Sequence, residues 1–144
     1  MLACVGYLAV RALTQRSIEN IPFTPATETA IREAHLQGRP VLLAFTGSDW
    51  CGACKRMDAE VFQTAEFANF AAGRLVLLRI DFPRQTELGP REQEQNRALM
   101  QRFDITGFPT VVVIDQTGRE CGRLGLTPDG VQGFLADLRR IIEG

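Results

Sequence analysis

Three short runs of the chain are apolar at nearly every position: Val41-Leu42-Leu43-Ala44-Phe45, Leu75-Val76-Leu77-Leu78-Arg79-Ile80 and Thr110-Val111-Val112-Val113-Ile114. Continuous apolarity over so short a stretch suits strands covered on both faces, in a sheet with helices above and below. Between the first two runs, Met57, Val61 and Phe62 share one face of a helical stretch. This gives a βαβ unit, whose crossover is expected to be right-handed. A first helix is predicted to start near Pro25 with Thr24 as its cap, pass through Ile31, Ala34 and His35, and stop at Gly38. After Asp81, Phe82-Pro83 opens a polar loop to Pro90, and a helix follows from about Arg91 to Phe103. Its apolar positions are few, so one of its faces is expected in water. The third strand turns at Asp115-Gln116-Thr117-Gly118 into a shorter one over Arg119–Leu124, an antiparallel hairpin. Pro128 opens the last helix, along which Val131, Phe134, Leu135, Leu138, Ile141 and Ile142 form one stripe. The order predicts an α/β domain with a mixed central β-sheet flanked by helices on both faces.

The beginning of the chain follows another pattern. Leu2 to Val10 is an almost unbroken apolar run ended by Arg11. A bilayer span takes about 20 apolar residues, so this run does not cross one alone. Residues 1–20 read as the remnant of an export signal or anchor with its linker, and residues 21–144 as the folded domain. A short helix packed on the domain is the alternative reading. Met1-Leu2-Ala3-Cys4 also resembles the end of a bacterial lipoprotein signal, with Cys4 as the lipidated residue.

Composition narrows the function. At 144 residues, 45% of them hydrophobic, the chain can bury a core without disulfides or metals. A formal net charge of −1 with no Lys/Arg cluster gives no support to nucleic acid or anionic lipid as partners. No nucleotide loop, paired-carboxylate signature or serine elbow is present.

The candidate chemistry lies in Trp50-Cys51-Gly52-Ala53-Cys54, where the first strand ends and a helix begins. A cysteine at a helix start faces free backbone N–H groups and the positive end of the helix dipole, which favour its thiolate. The thiolate is the attacking species in disulfide exchange. Cys54, one turn on, is in reach of a mixed disulfide at Cys51. Cys51 is therefore the expected nucleophile and Cys54 the resolving thiol. Two other readings compete. A structural zinc commonly takes four ligands, and only Cys4, Cys121 and the single His35 remain, all distant in sequence. A purely structural disulfide closing so short a loop would constrain the unfolded chain little.

Gly47-Ser48-Asp49-Trp50-Cys51-Gly52-Ala53-Cys54-Lys55, together with Gly107-Phe108-Pro109-Thr110, resembles thioredoxin-like proteins. The similarity is greatest to the bacterial exported thiol–disulfide interchange branch, which shares the Gly-Ser-Asp-Trp-Cys run and an Asp-Phe-Pro after the next strand. It covers about residues 25–144 and implies a thioredoxin-like fold. It further implies a cis peptide before Pro109, a substrate segment paired with the backbone of Phe108, and Trp50 flanking the nucleophile. The family's buried aspartate before the motif would fall at Ala44 or Phe45, and its partner lysine at Leu77 or a neighbour. None of these titrates, so loss of the Cys54 proton is left to water or another group. Gly52-Ala53 is neither the dipeptide of thioredoxins nor that of strong oxidants, and the direction of electron flow stays open.

Smaller signals are read as ordinary structure. Lys55 and Arg56 are read as a solvated helix face, with lowering of the Cys51 pKa or steering of acidic partners as the alternative, and Glu92 and Glu94 as an exposed helix start. Cys121 is expected to be a small packed hydrophobe, and His35 a surface or helix-end residue. The expected function is thiol–disulfide exchange with protein substrates, as reductase or isomerase. It would act in the bacterial periplasm or envelope, with an upstream thiol electron donor and no organic cofactor or metal. The alternative is a binding module that holds Cu(I) between Cys51 and Cys54, or docks a partner, without turnover.

Overall fold

The computed structural model describes residues 23–144, and the expectations for the leader and Cys4 lie outside them. A five-stranded sheet carries the order β1-β3-β2-β4-β5, with β1 (Thr24–Pro25), β2 (Val41–Thr46), β3 (Val76–Asp81), β4 (Thr110–Ile114) and β5 (Glu120–Leu124). β1 and β2 run parallel to β3, while β4 is antiparallel to both β2 and β5. The helices are α1 (Glu28–Gln37), α2 (Gly52–Met57), α3 (Ala65–Ala71), α4 (Pro90–Arg102) and α5 (Gly130–Glu143). This is the thioredoxin-like arrangement that the motif resemblance implied.

Alternation along the strands sorts the core into two layers. Leu42, Ala44, Leu77, Val111 and Val113 face Met57, Val61, Phe67, Phe134 and Leu138 of the α2, α3 and α5 layer. Val41, Leu43, Phe45, Leu78, Ile80, Val112 and Ile114 face Ala34 and Leu99 of the α1 and α4 layer. Every residue of β2 is buried, the physical reason for its unbroken apolar run. Thr46, where that run ends, is the strand's first polar residue, and the loop leading to Cys51 begins there.

The chain departs from the sequence expectation in three places. Thr24-Pro25 does not open a helix. It pairs with Leu78 and Arg79 as a short edge strand, where a proline's missing N–H is tolerated. The cap of α1 is Thr27 instead, whose Oγ1 accepts the Ala30 N–H at 3.1 Å. Between β2 and β3 the single expected helix is two. α2 passes into a π-helical turn, Asp58–Phe62, and α3 starts afresh at the Thr64 cap. Cys121 is exposed rather than packed, because Gly122 and Leu124 are the inward positions of β5. A Cβ at Gly122 would come within 2.8 Å of the Ile141 side chain, so that position admits no larger residue without a shift.

Candidate active site

β2 and β3 end side by side, with Thr46 opposite Asp81. From this edge the chain makes the loop Gly47–Trp50 and enters α2 at Cys51. Cys51 itself caps the helix: its backbone is extended, and its Sγ accepts the Cys54 N–H at 3.2 Å. The two cysteines are joined as a disulfide with their Cα atoms 5.2 Å apart. Cys51 is 7% and Cys54 2% exposed, so the first cysteine is the more accessible residue of the two. Upon reduction the same cap N–H and the helix dipole are in place to stabilise negative charge on Cys51.

The loop is held by side chains the motif supplies. Asp81 accepts from the Ser48 N–H at 3.0 Å and from the Ser48 hydroxyl at 2.5 Å, which pins the loop to the end of β3. Asp49 is half-buried, and its two carboxylate oxygens accept the backbone N–H groups of Arg84 and Gln85 at 3.0 and 2.8 Å. Those bonds, Arg84's foremost, hold the Asp49 carboxyl below its ordinary pKa. Trp50 donates its indole N–H to the Phe82 carbonyl at 2.8 Å. Gly47 is required by this packing, since a Cβ there would sit 2.5 Å from the Trp50 Nε1.

The Phe108–Pro109 peptide is cis, as the resemblance implied. The Phe108 ring lies edge-on to Trp50 with centroids 6.0 Å apart, and stacks with Phe82 at 5.2 Å. Trp50 and Phe108, far apart in sequence, thus come into contact, and Trp50 immediately precedes Cys51 in the chain. Phe82 joins them although the sequence reading assigned it no role.

Two further residues were missed. Asp58 follows Cys54 by one helical turn, and its backbone N–H donates to the Cys54 carbonyl. Its carboxylate faces Arg79 of β3 at 3.5 Å. Burial raises the Asp58 pKa above 3.8; Arg79 opposes that shift and Asp81 adds to it. Arg79 also lies 5.3 Å from the centroid of the Phe23 ring. One helical turn after Cys54 there is therefore a titratable carboxylate, contributed by the π-helical turn that continues α2, where the family's aspartate would come from β2. The i to i+4 spacing from Cys54 was the signal available in the sequence. Among the described residues no group of three or more His, Cys, Asp or Glu is placed to hold a metal ion.

Residues 27–135 match the model of the thioredoxin-like domain family. The chain belongs to that family. It is 31% identical over 114 residues to the disulfide bond reductase DsbH of Chlamydia pneumoniae, covering 79% of this chain and 69% of that protein. It is 32% identical over 115 residues to the thiol:disulfide interchange protein DsbD of Ralstonia nicotianae, covering 80% of this chain but 17% of the relative. A solved DsbH oxidoreductase superposes with a TM-score of 0.79 at 28% identity, covering 88% of each chain. A thioredoxin from Thermus thermophilus shares the fold, with a TM-score of 0.63 at 22% identity over 85% of this chain and 88% of that one. The Cys51–Cys54 pair at the head of α2 makes this family member a thiol–disulfide oxidoreductase.

Proposed function

We propose that the protein reduces or isomerises disulfides of protein substrates in the bacterial envelope, and is re-reduced by an upstream thiol donor. The observation that carries this reading is the Cys51 sulfur as the cap of α2, with Cys54 in disulfide contact one turn on. The names of the relatives DsbH and DsbD support it, and the apolar Leu2–Val10 run supports the location. Among the described residues no helix is long and apolar enough to cross a membrane.

In the reductive direction the Cys51 thiolate attacks one sulfur of a substrate disulfide. The Cys51–substrate bond forms and the other substrate sulfur leaves as a thiolate, which takes up a proton. The Cys54 thiolate then attacks the Cys51 sulfur, closing the intramolecular disulfide and releasing the second substrate thiol. Two electrons pass to the substrate, and two protons end on its sulfurs. Trp50, Phe108 and Pro109 form the docking surface, with the Phe108 backbone pairing to an extended substrate segment. Asp58 receives the Cys54 proton, either directly or through one water.

A redox titration followed by the fluorescence of Trp50, the only tryptophan, tests the reading. A reversible two-electron transition near about −270 mV marks a reductant, whereas one near about −120 mV overturns the reductive direction. Absence of any such transition overturns exchange altogether. Cys54→Ala is expected to accumulate a mixed disulfide at Cys51, visible in the intact mass. Asp58→Asn should slow resolution of that mixed disulfide by about a hundred-fold at neutral pH. In the unmodified protein the resolution rate should fall as pH drops through the raised Asp58 pKa, because the protonated carboxyl accepts nothing. The asparagine variant should lack this limb, and Asp58→Glu should restore part of it.

A further inference from the structure

The segment after β3 is strapped to the active-site loop by side chains of the motif itself. Asp49 holds the backbone of Arg84 and Gln85, and the Phe82 carbonyl takes the Trp50 N–H. The Phe82 ring stacks on Phe108. Held in this way, Arg84 places its guanidinium 3.7 Å above the centre of the ring of Trp50, the residue that precedes the nucleophile in the chain. A guanidinium stacked flat on an aromatic keeps its in-plane N–H donors free, in a fork that fits a carboxylate.

The charges around it are unequal. Arg84 is exposed and has no carboxylate within ion-pair distance among the described residues, and the same is true of Lys55 in the first turns of α2. The two nearby carboxylates are already engaged, Asp49 by backbone N–H groups and Asp81 by Ser48. Glu87, further along the strap, is exposed. The rim of the active site thus offers cations with unfilled donors, on a chain whose formal net charge is −1.

We infer that Arg84 is a specificity-determining residue, which binds a carboxylate flanking the disulfide cysteine of an acidic substrate segment. This rests on the exchange reading above. Asp49 and Trp50 act as its positioning residues. The pre-stacked guanidinium loses little freedom on binding, so its contribution falls on substrate affinity rather than on the sulfur chemistry.

The test uses two disulfide-bonded peptides, identical except for Glu or Gln on either side of each cysteine, with turnover followed in the full chain. The acidic peptide should show about a five-fold higher kcat/KM at low salt, carried by KM. That ratio should collapse towards one at high salt. Arg84→Gln should bring the ratio to about one, Arg84→Glu should invert it, and Arg84→Lys should retain part of it. A ratio of one in the unmodified protein while both peptides are turned over, or a ratio unchanged in Arg84→Gln, overturns the inference and leaves the exchange reading standing. Turnover of neither peptide overturns both.

Discussion

Cys51 sits at the head of α2, almost buried, with its sulfur accepting a backbone N–H. Cys121 lies on the outer face of the edge strand β5, exposed. Its Sγ is 3.7 Å from the Arg119 carbonyl, an oxygen that cannot stabilise a thiolate. Partial burial and then the Asp115 charge push the Cys121 thiol up from its ordinary pKa, against the weaker pull of Arg119. Exposure alone would name Cys121 the reactive residue. Thiolate stability points the other way, because donors and a helix dipole favour the charged sulfur while burial and a nearby carboxylate disfavour it. The difference comes from what the backbone presents to each sulfur.

The comparison can be broken most directly by alkylation. In the reduced protein at neutral pH, iodoacetamide should modify Cys51 at least about ten-fold faster than Cys121. Peptide mapping would show the order, and activity should be lost in step with Cys51. Cys121→Ser should leave turnover unchanged. Faster labelling of Cys121 would mean that access outweighs the helix start.

Gly47→Ala sharpens the same contrast from the backbone side. The added Cβ would press on the Trp50 indole, so the loop must shift, at a cost of about 1–3 kcal/mol. Chemical denaturation would measure that loss. The same shift should weaken the Trp50–Phe82 bond and alter Trp50 fluorescence.

The smallest effect concerns the hairpin that carries Cys121. Asp115 accepts from the Thr117 N–H at 2.8 Å, the Thr117 hydroxyl at 2.5 Å and the Arg119 N–H at 3.1 Å. The Thr117 side chain is the foremost cause that lowers its carboxyl to about 2. Because the folded-state pKa lies below the unfolded one, this support is complete above the ordinary aspartate range and is lost as pH falls towards about 2. Amide exchange at Thr117 and Arg119 should quicken over that window, while exchange in β2 should stay slow. Uniform behaviour of the two regions would show that the turn is not held locally.

Periodicity and spacing made much of the molecule legible. The continuous apolar runs at Val41–Phe45 and Thr110–Ile114 have one good solution, a strand covered on both sides, and the stripe from Val131 to Ile142 has one as a helix. Cys-x-x-Cys at a strand-to-helix junction carries its chemistry because the local backbone supplies the N–H groups. Where the outcome depended on neighbours in space, the local pattern was silent or misleading. Thr24-Pro25 satisfies the rules for a helix start, yet the adjacent β3 edge offers it a partner. Cys121 reads as apolar, but the inward face of β5 belongs to Gly122 and Leu124.

The sequence by itself determined strands β2 to β5, the helices that cover both faces of their sheet and the identity of the cysteine pair, because these follow from backbone periodicity and from contacts within one turn. Only the tertiary structure decided which residues surround that pair. Asp58 meets Arg79 across 21 positions of chain, and Asp49 reaches Arg84 and Gln85 across 35 and 36. Pairings of that span are set by how β3 lies against β2, which no local pattern encodes.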